Sequence, residues 1–291
     1  MSEQVCMTGA EYCGGAAGVD TCGYPVETTG NTVLDILEHR SSTRAFARDD
    51  DDRPVAVTDE QRAAILHAAS RAPSAGAMMM YSIVSIREQA TLDLLADLCD
   101  YQPMIAKAPW ALIFVVDYAK WIDLFEHVGC FEPEFVERTG KAPRRAPGLG
   151  DFAIAAQDAV IAAQNAVVAA EALGLGSCYI GDIVENAEEV ASLLDLPPYT
   201  MPLSMLIIGT PRKERPAIAH PVVNLVHEER YRRADTATMD AQVAEMDAMF
   251  RPHAREAGER VVDIYTRKHT SPFMAEMSRS MEWWFKNWLG K

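Results

Sequence analysis

The chain has no Cys-x-x-Cys pair. Its six cysteines, Cys6, Cys13, Cys22, Cys99, Cys130 and Cys178, stand singly along 291 residues. That spacing excludes the usual zinc-ribbon and thioredoxin patterns, and no metal site is expected. Basic residues are scarce: 27 against 42 acidic, a net charge of −15. A nucleic-acid partner is excluded on that ground, because a phosphate backbone needs a basic footprint. No uninterrupted apolar run approaches the ~18 residues of a bilayer span. The first residues, Met1 to Gln4, lack the basic n-region of a secretory signal. The expected location is therefore the cytoplasm, with no membrane partner. With 49% hydrophobic and 24% charged residues, the remainder is that of an ordinary globular protein.

Against this acidic background one stretch stands out. His39-Arg40-Ser41-Ser42-Thr43-Arg44-Ala45-Phe46 places two guanidiniums and three hydroxyls within five residues, where an apolar helix pattern (Val33, Leu34, Ile36, Leu37) stops. A guanidinium is a planar, permanently charged fork that matches phosphate oxygens, and hydroxyls complete such a cradle. An acidic protein that binds a phosphate must gather its positive charge locally. The ordinary alternative is that arginines near a helix C-terminus complement its dipole.

The rest of the chain divides by pattern. Residues 1–30 are rich in Gly, carry Cys6, Cys13 and Cys22, and have no periodicity, which predicts a flexible leader. Asp49 to Asp52 is a solvated turn. Thr58-Asp59-Glu60-Gln61 is a capping box that predicts a helix to about Arg71. Tyr81 to Ile86 is a short strand, Leu92 to Leu98 is helical, and the apolar runs Ala111 to Val116 and Leu203 to Ile208 are buried strands. Residues 119–150 read as irregular, with Trp121, Phe125, Phe131 and Phe135 followed by Pro and Gly, as in a lid. Asp151 to Leu173 is apolar on nearly all sides, which predicts a helix buried in a core or between subunits. Helices return at about 236–250 and 272–288. The second of these carries an apolar stripe, Phe273, Met277, Met281, Trp284 and Trp288, suited to packing on the protein's own body or on a partner subunit. The order implies an α+β fold with domains at 1–30, 31–235 and 236–291.

Three further stretches offer pieces of a pocket. Pro73-Ser74-Ala75-Gly76-Ala77-Met78-Met79-Met80 joins a helix to a strand, and its small residues let the backbone approach a flat ligand. Gly174-Leu175-Gly176 through Tyr179-Ile180-Gly181 leaves backbone N–H groups accessible, although a helix C-cap already explains Gly174. Arg212-Lys213-Glu214-Arg215 is a second basic cluster, which read alone is a solvated loop. Gly148-x-Gly150-x-x-Ala153 imitates a dinucleotide fingerprint but follows a Pro/Arg-rich loop where a strand is required, so it is set aside.

Taken in chain order, these stretches resemble the FMN-dependent nitroreductase family over about residues 31–232. Arg40, Ser41, Ser42 and Arg44 resemble its opening flavin-phosphate motif. Pro73, Ser74, Ala75, Gly76 and Ala77 resemble its flavin-edge turn, Tyr179, Ile180 and Gly181 the strand passing the ring, and Lys213 and Arg215 the closing basic segment. The resemblance implies a sandwich with a central, mostly antiparallel sheet flanked by helices, and residues 236–291 form a C-terminal helical extension beyond that shared core. It implies an intertwined homodimer with two FMN sites at the interface, each taking ligands from both chains. It also implies ping-pong chemistry: NAD(P)H gives hydride to flavin N5 and leaves, and a nitroaromatic, quinone or activated alkene then takes its place. Such a scheme needs no side-chain catalyst, and none is assigned. Dehalogenation or dehydrogenation on the same fold, and flavin binding without turnover, are alternatives. Phe125, Phe131 and Met79 are the expected substrate-pocket residues. The chain departs from the family at Ala77, where Asn is common, so part of the flavin's polar contacts must come from backbone N–H groups or neighbouring side chains.

Overall fold

The computed structural model describes residues 18–19, 25–26, 30–141, 144–213 and 223–290. By contacts these fall into two compact units. One is built from the described parts of 1–41 and 215–274, the other from those of 42–214 and 275–291. The sequence pattern instead suggests divisions near residues 30 and 235.

The first unit is mainly helical. A two-residue ladder pairs β1 (Gly18–Val19) with β2 (Pro25–Val26), antiparallel. Asn31 opens helix Thr32–His39 by accepting the N–H groups of Val33 and Leu34 through its side chain. Asp235 caps helix Thr236–Phe250 in the same way, through Thr238 N–H at 2.8 Å. A shorter helix, Glu259–Ile264, runs on into a π turn, Tyr265–His269. Among the described apolar side chains of this unit only Met249 is buried, while Val33, Leu34, Leu225, Val262 and Tyr265 are exposed.

The second unit is built on a sheet of β3 (Tyr81–Ile86), β4 (Trp110–Asp117), β5 (Gly176–Ile180) and β6 (Thr200–Gly209). The strands lie in the order β3-β4-β6-β5, and every neighbouring pair is antiparallel. β4 is apolar without alternation because both of its faces are covered. Trp110, Leu112, Phe114 and Val116 pack beneath helices Asp59–Ser70 and Leu149–Ala172. Ala111, Ile113 and Val115 lie in a second cluster with Leu92, Leu95, Ile105 and Trp284. The register slips by one between Phe114 and Val115, opposite Pro202 of β6. Pro has no N–H to give to a ladder, so a bulge is where it fits. The predicted capping box is present: Thr58 Oγ1 accepts Gln61 N–H at 3.2 Å, and Gln61 Oε1 accepts Thr58 N–H at 3.1 Å.

Two expectations need correction. Helix Leu149–Ala172 is not buried all round. Ala155, Ala159, Ala162, Ala166 and Val167 are covered, whereas Ile154, Val160 and Ile161 are exposed. It is also long and apolar enough to cross a bilayer by length and composition, although it lies against the sheet. Residues 119–150 are not irregular throughout. Ala119–His127 and Pro133–Thr139 are helices, the second opened by a proline at its first position. The glycine segment is a strand, β5, as the resemblance implies, with Gly176, Ser177, Cys178 and Ile180 buried.

The apolar stripe of the final helix, Pro272–Trp288, packs on the sheet unit. Trp284 and Trp288 are fully buried, and their indole N–H groups donate to Val184 O (2.9 Å) and Gly148 O (3.1 Å). Gly148 is therefore the cap of a core helix: its N–H donates to Asp151 Oδ2 at 2.8 Å, and the dinucleotide-like spacing there serves packing. Among the described residues Cys99, Cys130 and Cys178 are free thiols. Cys6, Cys13 and Cys22 lie outside them.

Candidate functional site

Three of the four sequence motifs meet at one corner of the sheet unit. Ser42 forms a parallel bridge with Ser177 of β5, and Thr43 N–H donates to Ser177 O at 2.9 Å. Phe46 pairs antiparallel with Pro211, Arg212 N–H donates to Ala45 O at 2.9 Å, and Ala47 N–H donates to Thr210 O at 2.8 Å. The opening motif thus threads between the start of β5 and the chain leaving β6. Glycine makes the approach possible. A Cβ on Gly176 would stand 2.1 Å from Thr43 Oγ1 and 2.7 Å from Thr43 Cβ, and one on Gly209 would meet Phe46 Cδ1 at 2.8 Å. Gly176 carries this requirement, although Gly174 and Gly181 drew attention with it in the sequence; a Cβ at either of those would meet open space.

Among the described residues, the cations Arg44, Arg212 and Lys213 of this unit form no ion pair with a carboxylate. Arg40 caps the C-terminus of helix Thr32–His39 through its backbone, and its Nε is buried without a partner. Ser177 Oγ is likewise buried and unpartnered. Buried donors are normally satisfied, so such orphans mark groups awaiting a ligand or water. Ser41 is half-buried, Arg44 and Lys213 are exposed, and Arg215 lies outside the described residues. Along β5, Ile180 is buried, while Tyr179 is exposed and its hydroxyl donates to Gln164 Oε1 at 3.3 Å.

The fourth motif lies elsewhere. Pro73 to Met80 forms a turn ahead of β3, with Gly76, Ala77 and Met79 all in the left-handed region (φ 58°, 55° and 49°). Such a run in non-glycine residues persists only where the surroundings impose it. They do so here. Asp158, 2% exposed in the long helix, accepts the N–H of Ala75 (3.0 Å) and of Met80 (3.3 Å). Ser74 Oγ accepts Met79 N–H at 3.1 Å, and Trp121 Nε1 donates to Met78 O at 2.9 Å. Ala75, Gly76, Ala77 and Met79 nonetheless remain exposed. Lys120 Nζ donates to Tyr81 O. Burial pushes its ammonium below the usual lysine range, and the carboxylates of Asp117 and Asp158 oppose that shift.

Phe125 and Phe131 are edge-to-face neighbours (6.3 Å), and Trp121 stands 5.6 Å from Phe125. All three pack, half-buried, against the core cluster that also takes Met78. The aromatic segment is thus anchored to the turn and is not a free lid. Asp158 was missed in the sequence, although a signal exists: it is the only charged residue between Asp151 and Glu171.

The register fixes how far apart the two groups are. Tyr81 is level with Val116 and Met201, whereas Gly176 is level with Gly209. The turn and the cation corner therefore occupy opposite edges and opposite ends of the sheet, about 14 Å across and about 25 Å along the strands.

The family profile described as the nitroreductase family matches residues 37–210. An FMN reductase (NAD(P)H) of Bacillus subtilis is 32% identical over 215 residues, covering 73% of this chain and 79% of that protein. An oxygen-insensitive NADPH nitroreductase of Salmonella typhimurium is 32% identical over 219 residues, covering 73% and 81%. The solved structure of the NADPH:FMN oxidoreductase of Vibrio harveyi complexed with NAD+ superimposes with a TM-score of 0.66 at 25% identity, covering 86% of this chain and 97% of that one.

Proposed function

Since the chain belongs to the nitroreductase family, we propose that it is an FMN-dependent oxidoreductase that takes hydride from NAD(P)H and delivers it to a small oxidised acceptor. The observation that carries the cofactor reading is the unpaired cation corner. In a chain of net charge −15, Arg44, Arg212 and Lys213 of the sheet unit have no carboxylate partner among the described residues, and Ser177 Oγ is buried without a partner there. That donor set fits a phosphate monoester. Arg40, Ser41, Ser42, Arg44 and Lys213 would hold the phosphate, with Arg215 following in the chain. The flavin would run along the edge strand β5 toward Tyr179, Ile180 and Gly181.

The turn Pro73 to Ala77 cannot serve the same flavin from the same chain. A five-carbon ribityl link, at about 1.5 Å per bond, spans less than the separation between the two corners even with the length of the tricyclic ring added. The reading therefore includes a homodimer in which the turn of one protomer meets the β5 edge of its partner. The exposed Ile154, Val160 and Ile161 of the long helix supply apolar surface for that interface. Bound FMN supplies the hydride relay from NAD(P)H to a nitroaromatic, quinone or activated alkene. The protein's part is to hold the phosphate, orient the ring and shape the acceptor space, for which Met79, Phe125 and Phe131 are the proposed walls. Three free thiols accord with a cytoplasmic setting.

The test is direct. Purified protein should be yellow and should bleach under anaerobic NADPH or NADH, and an acceptor panel should restore the colour. Colourless protein that ignores added FMN sinks the reading. Phe125→Ala and Phe131→Ala should each change kcat/KM across the panel, and if neither does, the acceptor-wall assignment is lost.

A further inference from the structure

Resting on the flavin reading above, we propose that Asp158 is a positioning residue. It ties the two ends of the turn 75–80 so that one backbone donor, the Gly76 N–H, is left for the edge of the flavin ring. Nearly every other N–H of the turn has a partner. Those of Ala75 and Met80 go to the two oxygens of Asp158, that of Ala77 to Ser74 O (3.2 Å), that of Met78 to Ala75 O (3.0 Å), and that of Met79 to Ser74 Oγ (3.1 Å). Gly76 N–H bonds to none of the described residues, and Gly76 is exposed. This answers the departure at Ala77: the methyl group there cannot hydrogen-bond a ring, but the neighbouring backbone can.

A carboxylate is the group that fits the task. Each of its oxygens accepts, so both N–H groups are satisfied at once. An amide of the same shape would turn an NH2 toward one of them. Holding a carboxylate inside an apolar helix is unfavourable unless it is paired or hydrogen-bonded. Its partners here lie 83 and 78 residues away in sequence, so the carboxylate caps the turn and not its own helix.

The experiment compares wild type, Asp158→Asn and Asp158→Ala as full-length apoprotein, titrated with FMN and with riboflavin and followed by flavin fluorescence and visible absorption. The expected result is roughly a 3- to 10-fold weaker affinity for both ligands, as for one lost hydrogen bond. The FMN-to-riboflavin ratio should be unchanged, and the visible band of bound flavin should move toward that of free FMN. A general loss of stability would lower the melting temperature without moving that band. Should Asp158→Asn not fold, Ser74→Ala frees Met79 N–H in the same turn and must give the same spectral signature. Unchanged affinity and spectrum in the variants overturn the inference while wild type still binds FMN. A wild type that binds no FMN overturns the flavin reading, and the inference with it.

Discussion

The proposed phosphate corner and the proposed ring-edge turn are built from opposite materials. The corner is made of charged and hydroxyl side chains drawn together by glycine: Ser42 and Thr43 lie on Gly176 and Ser177, next to Arg212. The turn has almost no side-chain chemistry of its own. Its shape is imposed from beneath by Asp158 and from the side by Trp121, and it presents backbone. One end should therefore respond to changes in charge and the other to changes in geometry, and the two should separate in the laboratory.

The widest expected separation comes from removing charge. Arg40→Ala with Arg44→Ala should lower FMN retention by about 1.5–3 kcal/mol per lost charge-assisted contact, while riboflavin affinity stays nearly constant. Equilibrium dialysis reads both, and wild-type FMN retention in the double variant removes the phosphate assignment. Next is Gly176→Ala. The new methyl would collide with Thr43 and force residues 42–43 off the strand, costing about 1–3 kcal/mol of stability. Calorimetry should show the loss together with weakened FMN binding, and a wild-type melting profile would mean that Thr43 moves aside freely. At the other end, Trp121→Phe deletes the hydrogen bond to Met78 O, worth about 0.5–1.5 kcal/mol. It should alter the bound-flavin spectrum and the acceptor kcat/KM but not the FMN-to-riboflavin ratio. A changed ratio would blur the two ends.

The smallest effect serves as a control outside both. Arg279 bridges Glu188 and Glu276, and its guanidinium holds the Glu276 carboxyl down to about 2 from an ordinary value of 4.5. A depressed carboxylate stabilises the folded state above pH 4.5 and loses that contribution as pH falls toward 2. The group is largely solvent-screened, so the effect is slight. Melting curves of Glu276→Gln against wild type should differ at pH 7 and converge as pH falls toward 2, with flavin affinity at pH 7 untouched. A flavin affinity that moved would tie the final helix to the site.

Much of this was legible because it is local. Residues 81–86 read as a short strand and are one. Thr58 and Gln61 form their capping box, and the segment 42–46 lies beside the glycine strand and the chain after β6, the stretches it was grouped with. What escaped is non-local. The helix at 119–127 hid because its apolar face is only Trp121, Ile122 and Phe125 before glycine and proline follow. Composition alone does not mark β5 as a strand, since glycine caps and turns explain the same residues; the need for glycine at 176 comes from Thr43, far away in sequence. Asp158 was visible as a lone charge in an apolar helix, but its partners could not be read from any spacing.

The diagonal placement of the two groups on the sheet has a genetic corollary. If each flavin draws its phosphate contacts from one protomer and its ring contacts from the other, two differently damaged chains can rescue one another. A mixed dimer of an Arg40→Ala/Arg44→Ala chain and an Asp158→Asn chain holds one site with both lesions and one with neither. Co-expression should then produce sites of wild-type flavin affinity that neither parent shows alone, a complementation that a site confined to one chain could never display.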